Sequence, residues 1–373
     1  MSDILATKYR PKRLADIIGQ KQATRILENS ITNRDLHHAY IFAGNFGCGK
    51  TTSARVFAAC MNDPGGVTLE PNLDSKVVQA IFEGKHIDVT ELDAAACGKI
   101  EEIRDLRNSI QFAPIECRYR FVLLDEAHRL SGAAAEAALK MIEEPPPETI
   151  FILCTTEPQK LKQTIDSRCL TLRFSKVPWD LIFSHLKNIA KSEKLDVEDQ
   201  ALRVAARKSK GSVRNALQNL QMISTFAGGK KITRDMALNA LAAVDDRYYF
   251  DLVDSILKPD AGDAMRVIVS LLEGGRDIGE VLDGLVGHLR NLLIISTCTS
   301  TEGLVFLADD EKKQLLHQKS NMPAGQTVRM ITEMLNEIGK INREVAFNMN
   351  PQVMLEKFAV ESIIIGSGLK KKA

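Results

Sequence analysis

Four groups of residues in this chain have the types and spacing to do chemistry on a phosphate ester. Gly44-Asn45-Phe46-Gly47-Cys48-Gly49-Lys50-Thr51 fits G-x-x-x-x-G-K-[ST]. Its glycines let the backbone curl so that successive N–H groups face phosphate oxygens. Lys50 would reach the β- and γ-phosphates and the Thr51 hydroxyl would sit on Mg²⁺, with Thr52 beside it at the start of a helix whose N-terminus favours an anion. Phe121-Val122-Leu123-Leu124 runs into Asp125-Glu126. Asp125 at the strand end would hold Mg²⁺ through water, and Glu126 would polarise an attacking water. Thr155-Thr156 ends another apolar run, where one of the two would sense the γ-phosphate or hold that water. Two arginines complete the set. Arg168, in Ser167-Arg168-Cys169, would reach a nucleotide on a neighbouring subunit, an arrangement worth about 10³–10⁵ in rate. Arg214, at the start of a helix after Gly211-Ser212, would reach back to the phosphates in cis. Asp125-Glu126-Ala127-His128 also spells a helicase-type box, but no second core with arginine motifs follows.

The elements that must position these residues can be read from periodicity. Apolar runs at Ala39–Ala43, His86–Leu92, Phe121–Leu124, Thr149–Cys154 and Leu170–Phe174 alternate with helical stretches such as Lys50–Cys60, Lys99–Gln111 and Ala133–Glu143. That alternation predicts a parallel sheet covered on both faces, an α/β domain over residues 1–177. After Val177-Pro178-Trp179 the pattern turns helical: a small domain over 178–242, then a larger one over 243–368 and a solvated tail, 369–373. Ile278, Val281, Leu282, Leu285, Leu289, Leu292 and Leu293 recur at three- and four-residue steps, as do Ile331, Met334, Leu335, Ile338, Ile341 and Val345. Such stripes are core faces.

Composition narrows the setting. A length of 373 residues suggests two or three domains, and 45% hydrophobic with 26% charged residues is ordinary for a globular protein. Lys+Arg is 49 against Asp+Glu 48, a net charge of +1, so DNA contact must come from a local patch rather than a chain-wide basic field. The seven cysteines are scattered without a C-x-x-C pair, and the N-terminus lacks a signal-peptide pattern. A cytoplasmic protein without a membrane span is expected.

Taken together, these segments resemble the gamma/tau subunit family of the bacterial DNA polymerase III clamp loader, AAA+ ATPases. The resemblance also rests on Lys8-Tyr9-Arg10-Pro11, Ile18-Gly19-Gln20, Glu91-Leu92-Asp93-Ala94-Ala95, Glu143-Glu144-Pro145-Pro146 and Thr155-Thr156-Glu157-Pro158-Gln159-Lys160-Leu161. It implies a P-loop AAA+ domain, a helical lid and an all-helical collar. It implies ATP and Mg²⁺ as ligands, with Tyr9, Arg10, Pro11, Ile17 and Ile18 lining the adenine pocket. Arg168 becomes the finger offered to a neighbour, and Thr155 or Thr156, with Arg214, the sensors. The expected partners are other clamp-loader subunits in a ring or spiral, a sliding clamp, and primer–template DNA. Three departures stand out. Of four zinc cysteines usual in the family only Cys60 is matched, the others falling on Asn72, Ser75 and Val78, so no zinc is expected. Cys97 stands where a basic residue is expected in the DNA-facing segment, leaving Lys99 and Arg104, with Arg107 beyond, as phosphate contacts. The chain stops at Ala373, as in the short, gamma-like form, so polymerase tethering through further modules is not expected.

Overall fold

The structure is a computed structural model and describes residues 4–96, 100–272, 277–301, 304–305, 307, 309–323, 325–345 and 350–366. The chain divides into two compact units, 1–234 and 235–373.

In the first unit a five-stranded parallel sheet runs in the order β2-β3-β4-β1-β5, with β1 Ala39–Gly44, β2 Val89–Asp93, β3 Arg120–Asp125, β4 Thr149–Thr155 and β5 Leu170–Phe174. Its strands are near-continuous apolar runs because both faces are covered. Alternate residues go to opposite sides, as strand geometry requires. Tyr40, Phe42, Phe121 and Ile152 pack with helices α2 (Lys21–Asn33), α3 (Lys50–Met61) and α4 (Lys76–Glu83). Ile41, Val122, Phe151 and Leu153 pack with α5 (Ile100–Ser109) and α6 (Gly132–Glu143). The register pairs Ala43 with Thr155 and Asp93 with Asp125, which brings the C-terminal ends of β1, β3 and β4 to one edge. In such sheets that edge is where ligands bind. A short helix α7 (Gln163–Asp166) precedes β5, and α8 (Trp179–Ser192), α9 (Asp199–Lys208) and α10 (Val213–Ala227) form a helical cluster after it.

Sequence expectation and structure differ at β2. The apolar run begins at His86, yet the strand begins at Val89. Residues 86–89 form a turn, with Val89 N donating to His86 O at 3.1 Å; buried Asp88 gives its carbonyl to Phe121 N of β3 at 2.9 Å while its side chain clasps a loop. Its carboxylate accepts N–H groups from Ile115, Glu116 and Cys117 at 2.7–3.1 Å and pairs with buried Arg120 at 3.2 Å. Those bonds hold its carboxyl below the usual range against the opposing effect of burial. The segment after α3 is held by similar means. Asp63 accepts from Gly65 N (2.7 Å) and Asn72 N (2.5 Å), and the Asn62 amide is bonded to both backbone groups of Tyr119. Cys60 and Val78 are buried, and Ser75 caps α4 through Val78 N.

The second unit is helical among its described residues: most of α11 (Arg234–Ala240), then α12 (Arg247–Leu257), α13 (Ala261–Leu272), α14 (Ile278–Thr297), α15 (Asp309–Asn321), α16 (Thr327–Val345) and α17 (Pro351–Gly366). The two stripes read from the sequence supply its core: Val281, Leu282, Leu285, Leu289, Leu292, Ile331, Met334, Ile338 and Ile341 are all buried. Inside it His288 Nε2 lies 2.8 Å from Gln318 Oε1, and Gln318 Nε2 donates to Phe250 O and Asp254 Oδ1. No helix of the described residues is long and apolar enough to cross a membrane.

Candidate nucleotide site

The loop after β1 is shaped by its glycines. Gly47 has φ +69°, and a Cβ there would lie 2.1 Å from Ser212 Oγ. At Gly44 a Cβ would lie 2.0 Å from the Phe174 carbonyl. Lys50, at the start of α3, is 6% exposed. Its Nζ donates to the loop's own carbonyls, Gly44 O at 2.8 Å and Asn45 O at 3.0 Å. Cys48 donates its thiol to Asn45 O, and burial raises its pKa, so it is a neutral wedge in the loop. Gln20 fixes the loop to the sheet by bonding Cys48 O and both backbone groups of Ser175.

The two acids at the end of β3 are separately engaged. Thr51 Oγ1 donates to Asp125 Oδ2 at 3.0 Å, the pairing that a shared cation site needs. Glu126 is held in a left-handed backbone conformation (φ +48°). Its Oε2 accepts from Thr156 Oγ1 at 3.0 Å and lies 3.4 Å from His128 Nδ1. Thr155 is fully buried instead, with its hydroxyl 3.0 Å from His128 Nδ1 and accepting Glu157 N. The two threonines left open by sequence therefore take different places. Thr156 meets the acid, and Thr155 supports the histidine behind it.

One cleft gathers most of the expected residues: Tyr9, Arg10, Pro11, Ile17, Ile18, Phe46, Gly47, Cys48, Gly49, Lys50, Thr51, Thr52, Asp125, Glu126 and Arg214. Gly44 and Asn45 enter through their carbonyls on Lys50. Ala6, His185, Val213 and Leu217 also line it and had no motif to announce them; His185 is pushed toward the neutral form by burial. Arg10 is held below the usual arginine range by burial and by nearby Arg55 and Arg214, with Glu91 the offsetting acid. Glu91 is itself paired to Arg55 at 2.7 Å. Such a wall favours a polyanion.

The helical cluster closes the cleft through specific bonds. Val213 N donates to Gly47 O at 3.0 Å, and the Arg214 guanidinium lies 5.0 Å from the Phe46 ring centroid, a cation–π distance. The N-terminal segment crosses to the same cluster. Tyr9 Oη donates to Glu193 Oε1 at 2.5 Å, Lys8 pairs with Glu193 at 2.7 Å, and Leu5 N donates to Gln221 Oε1. Arg168 lies outside the cleft's lining, paired with Glu143 at 2.9 Å and about 40% exposed. Arg104 and Arg107 are exposed on α5 beside Asp105, while Cys97 and Lys99 lie outside the described residues.

Residues 19–178 match the family model for DNA polymerase III, delta subunit, and residues 181–221 that for the DNA polymerase III clamp loader subunit, ATPase lid domain. The DNA polymerase III subunit gamma of Buchnera aphidicola is 35% identical over 297 residues, covering 80% of this chain and 81% of that protein. This chain belongs to the DNA polymerase III gamma/tau clamp-loader subunit family. Longer members of the family align as well. DNA polymerase III subunit tau of Bacillus subtilis is 32% identical over 95% of this chain and 62% of its own length. Subunit tau/gamma of Haemophilus influenzae is 35% identical over 78% of this chain and 42% of its own. The chain thus spans about half of the longer family members. The sheet, the lid and the helical C-terminal region have the AAA+ architecture that the family resemblance implied. The solved Thermotoga maritima RuvB Holliday junction branch migration motor aligns over 69% of this chain and 80% of its own, at 19% identity and TM-score 0.49, too distant to bear on function.

Proposed function

We propose that this gamma/tau family member is an ATP-hydrolysing motor subunit of a clamp loader, which loads a sliding clamp on primed DNA. The observation that carries the reading is the pairing of Thr51 with Asp125 and of Thr156 with Glu126 around one arginine-walled cleft. The adenine lies against Tyr9, Arg10, Pro11, Ile17 and Ile18. The phosphates take Lys50 from the carbonyls of Gly44 and Asn45, and the loop N–H groups of residues 45–52 cradle them. Thr51 and Asp125 would hold Mg²⁺, which neutralises charge on the β- and γ-phosphates when bound. Glu126 orients the attacking water, and Thr156 holds the Glu126 carboxylate. Arg214 approaches the phosphates from the lid, and Arg168 serves the nucleotide of the adjacent subunit.

In this reading residues 1–177 are the AAA+ module, 178–242 the lid and 243–368 an oligomerisation collar. Other clamp-loader subunits complete a ring or spiral. Primer–template DNA is contacted through phosphates by Lys99 and Arg104, no zinc is used, and the protein works in the cytoplasm. The test is ATP turnover by the assembled complex, with and without clamp and primed DNA. Turnover should rise when both are added; no stimulation by the pair overturns the reading. Lys50→Ala should abolish turnover, and Arg168→Ala should abolish it while leaving nucleotide binding largely intact.

A further inference from the structure

We infer that Glu143 is a positioning residue for Arg168, and that helix α6 thereby links a chain's own nucleotide cleft to the cation it offers to the next. The inference rests on the reading of Arg168 as a finger in trans. Helix α6 begins just after the turn that carries Glu126 and His128, with Ser131 capping it through Ala134 N at 3.2 Å. It ends at Glu143, 12 residues and about 18 Å further on. There Glu143 Oε1 meets Arg168 Nη2 at 2.9 Å. Arg168 Nη1 donates to Thr164 O at 2.9 Å and Ser167 Oγ at 3.3 Å. The other end of the same pairing is also tied. Lys162, next to α7, reaches Glu136 at 3.1 Å and Gly132 O at 3.5 Å, both on α6. Helix α7 is thus strapped along α6 at both ends, and the guanidinium is aimed by three groups of its own chain.

Both members of the pair are more than a third exposed, so it adds little to folding stability. What it supplies is direction. An arginine that must meet a phosphate on another chain has a long, free side chain, and a misplacement of about 1 Å can cost roughly 10²-fold in rate. Glu143 fixes the guanidinium before that phosphate arrives.

The experiment uses the full chain assembled with its partner subunits and measures ATP turnover with clamp and primed DNA. Glu143→Ala should lower turnover by about 10- to 100-fold, and Glu143→Gln, which keeps an acceptor, should retain more. Binding of a fluorescent ATP analogue and the thermal midpoint should not move. In an Arg168→Ala background, Glu143→Ala should add nothing. Wild-type or faster turnover by Glu143→Ala, where Arg168→Ala is inactive, overturns the inference and leaves the finger standing. Losses that simply multiply in the double variant overturn it as well. Full turnover by Arg168→Ala overturns the finger reading itself.

Discussion

At the residue scale, two adjacent hydroxyls have opposite duties. Thr156 donates to the Glu126 carboxylate, and Thr155 is buried against His128. Thr156→Val should lower turnover by about 10²-fold, the lower range for losing acid–base assistance, with nucleotide affinity within about twofold. Thr155→Val instead removes the hydroxyl beside His128 Nδ1 and leaves Glu157 N without its acceptor. It should cost about 1–3 kcal/mol of stability, read as a lower denaturant midpoint. The reverse pattern, with Thr155→Val inactive but stable, would rule out this division of labour. The motif Thr155-Thr156 was legible in the sequence, but its orientation was not. Alternation along a strand puts neighbours on opposite sides, and only the exit of β4 decides which side holds the acid. His128 is visible within Asp125-Glu126-Ala127-His128, but its place in that box assigns it no contact. Its contacts reach Thr155, Glu126 and Glu157 from one ring, and no spacing rule encodes that.

At the scale of elements, the P-loop and α10 act as one piece. The Gly47 carbonyl caps Val213 N, and there is no room for a side chain between Gly47 and Ser212. Gly47→Ala should therefore push α10 away from the loop. The expected result is at least tenfold weaker nucleotide binding, equivalent to about 1.4 kcal/mol, while the sheet module stays folded. Adding Ser212→Ala, which removes the clashing Oγ, should recover part of that loss in the same titration. Unchanged affinity in Gly47→Ala would show that the lid does not need this contact. The sheet, its parallel sense and the helical character of 178–242 followed from apolar runs alternating with helical stripes. The start of β2 did not, because a turn over 86–89 precedes it and the Asp88 carboxylate there is held by partners 27 to 32 residues away in sequence, which a local pattern cannot reveal.

At the scale of the whole molecule, the helical second unit is expected to contribute an acid limit to stability. Buried His288 is pushed down to about 4, chiefly by burial, with Gln318, Asp254 and Glu311 pulling the other way. In the unfolded chain a histidine titrates near 6.5. Between those values the unfolded state binds more protons, so stability is full above about pH 6.5 and falls as pH drops toward 4. The shift corresponds to roughly 3 kcal/mol. Urea unfolding of the full chain between pH 7 and 4 should show this loss, and His288→Leu should flatten that part of the curve. An equal slope in the variant would place the acid sensitivity elsewhere. The apolar stripes around His288 were legible from spacing alone. A lone histidine among leucines did not disclose that Gln318, thirty residues away, completes its bond.

Lys50 gives the cleft a threshold. Its ammonium is already solvated by two carbonyls of the loop that must receive the phosphates. Those two carbonyls therefore compete with a phosphate for the ammonium. A ligand gains from this lysine only if it presents an anion that outbids Gly44 and Asn45 together. If adenine sits at Tyr9 and Ile17 as proposed, a nucleoside or monophosphate would stop short of that exchange and leave the lysine bound to the backbone. On the proposed function, the loop would discriminate by chain length of phosphate before any step of hydrolysis, through a contest between one cation and two kinds of oxygen.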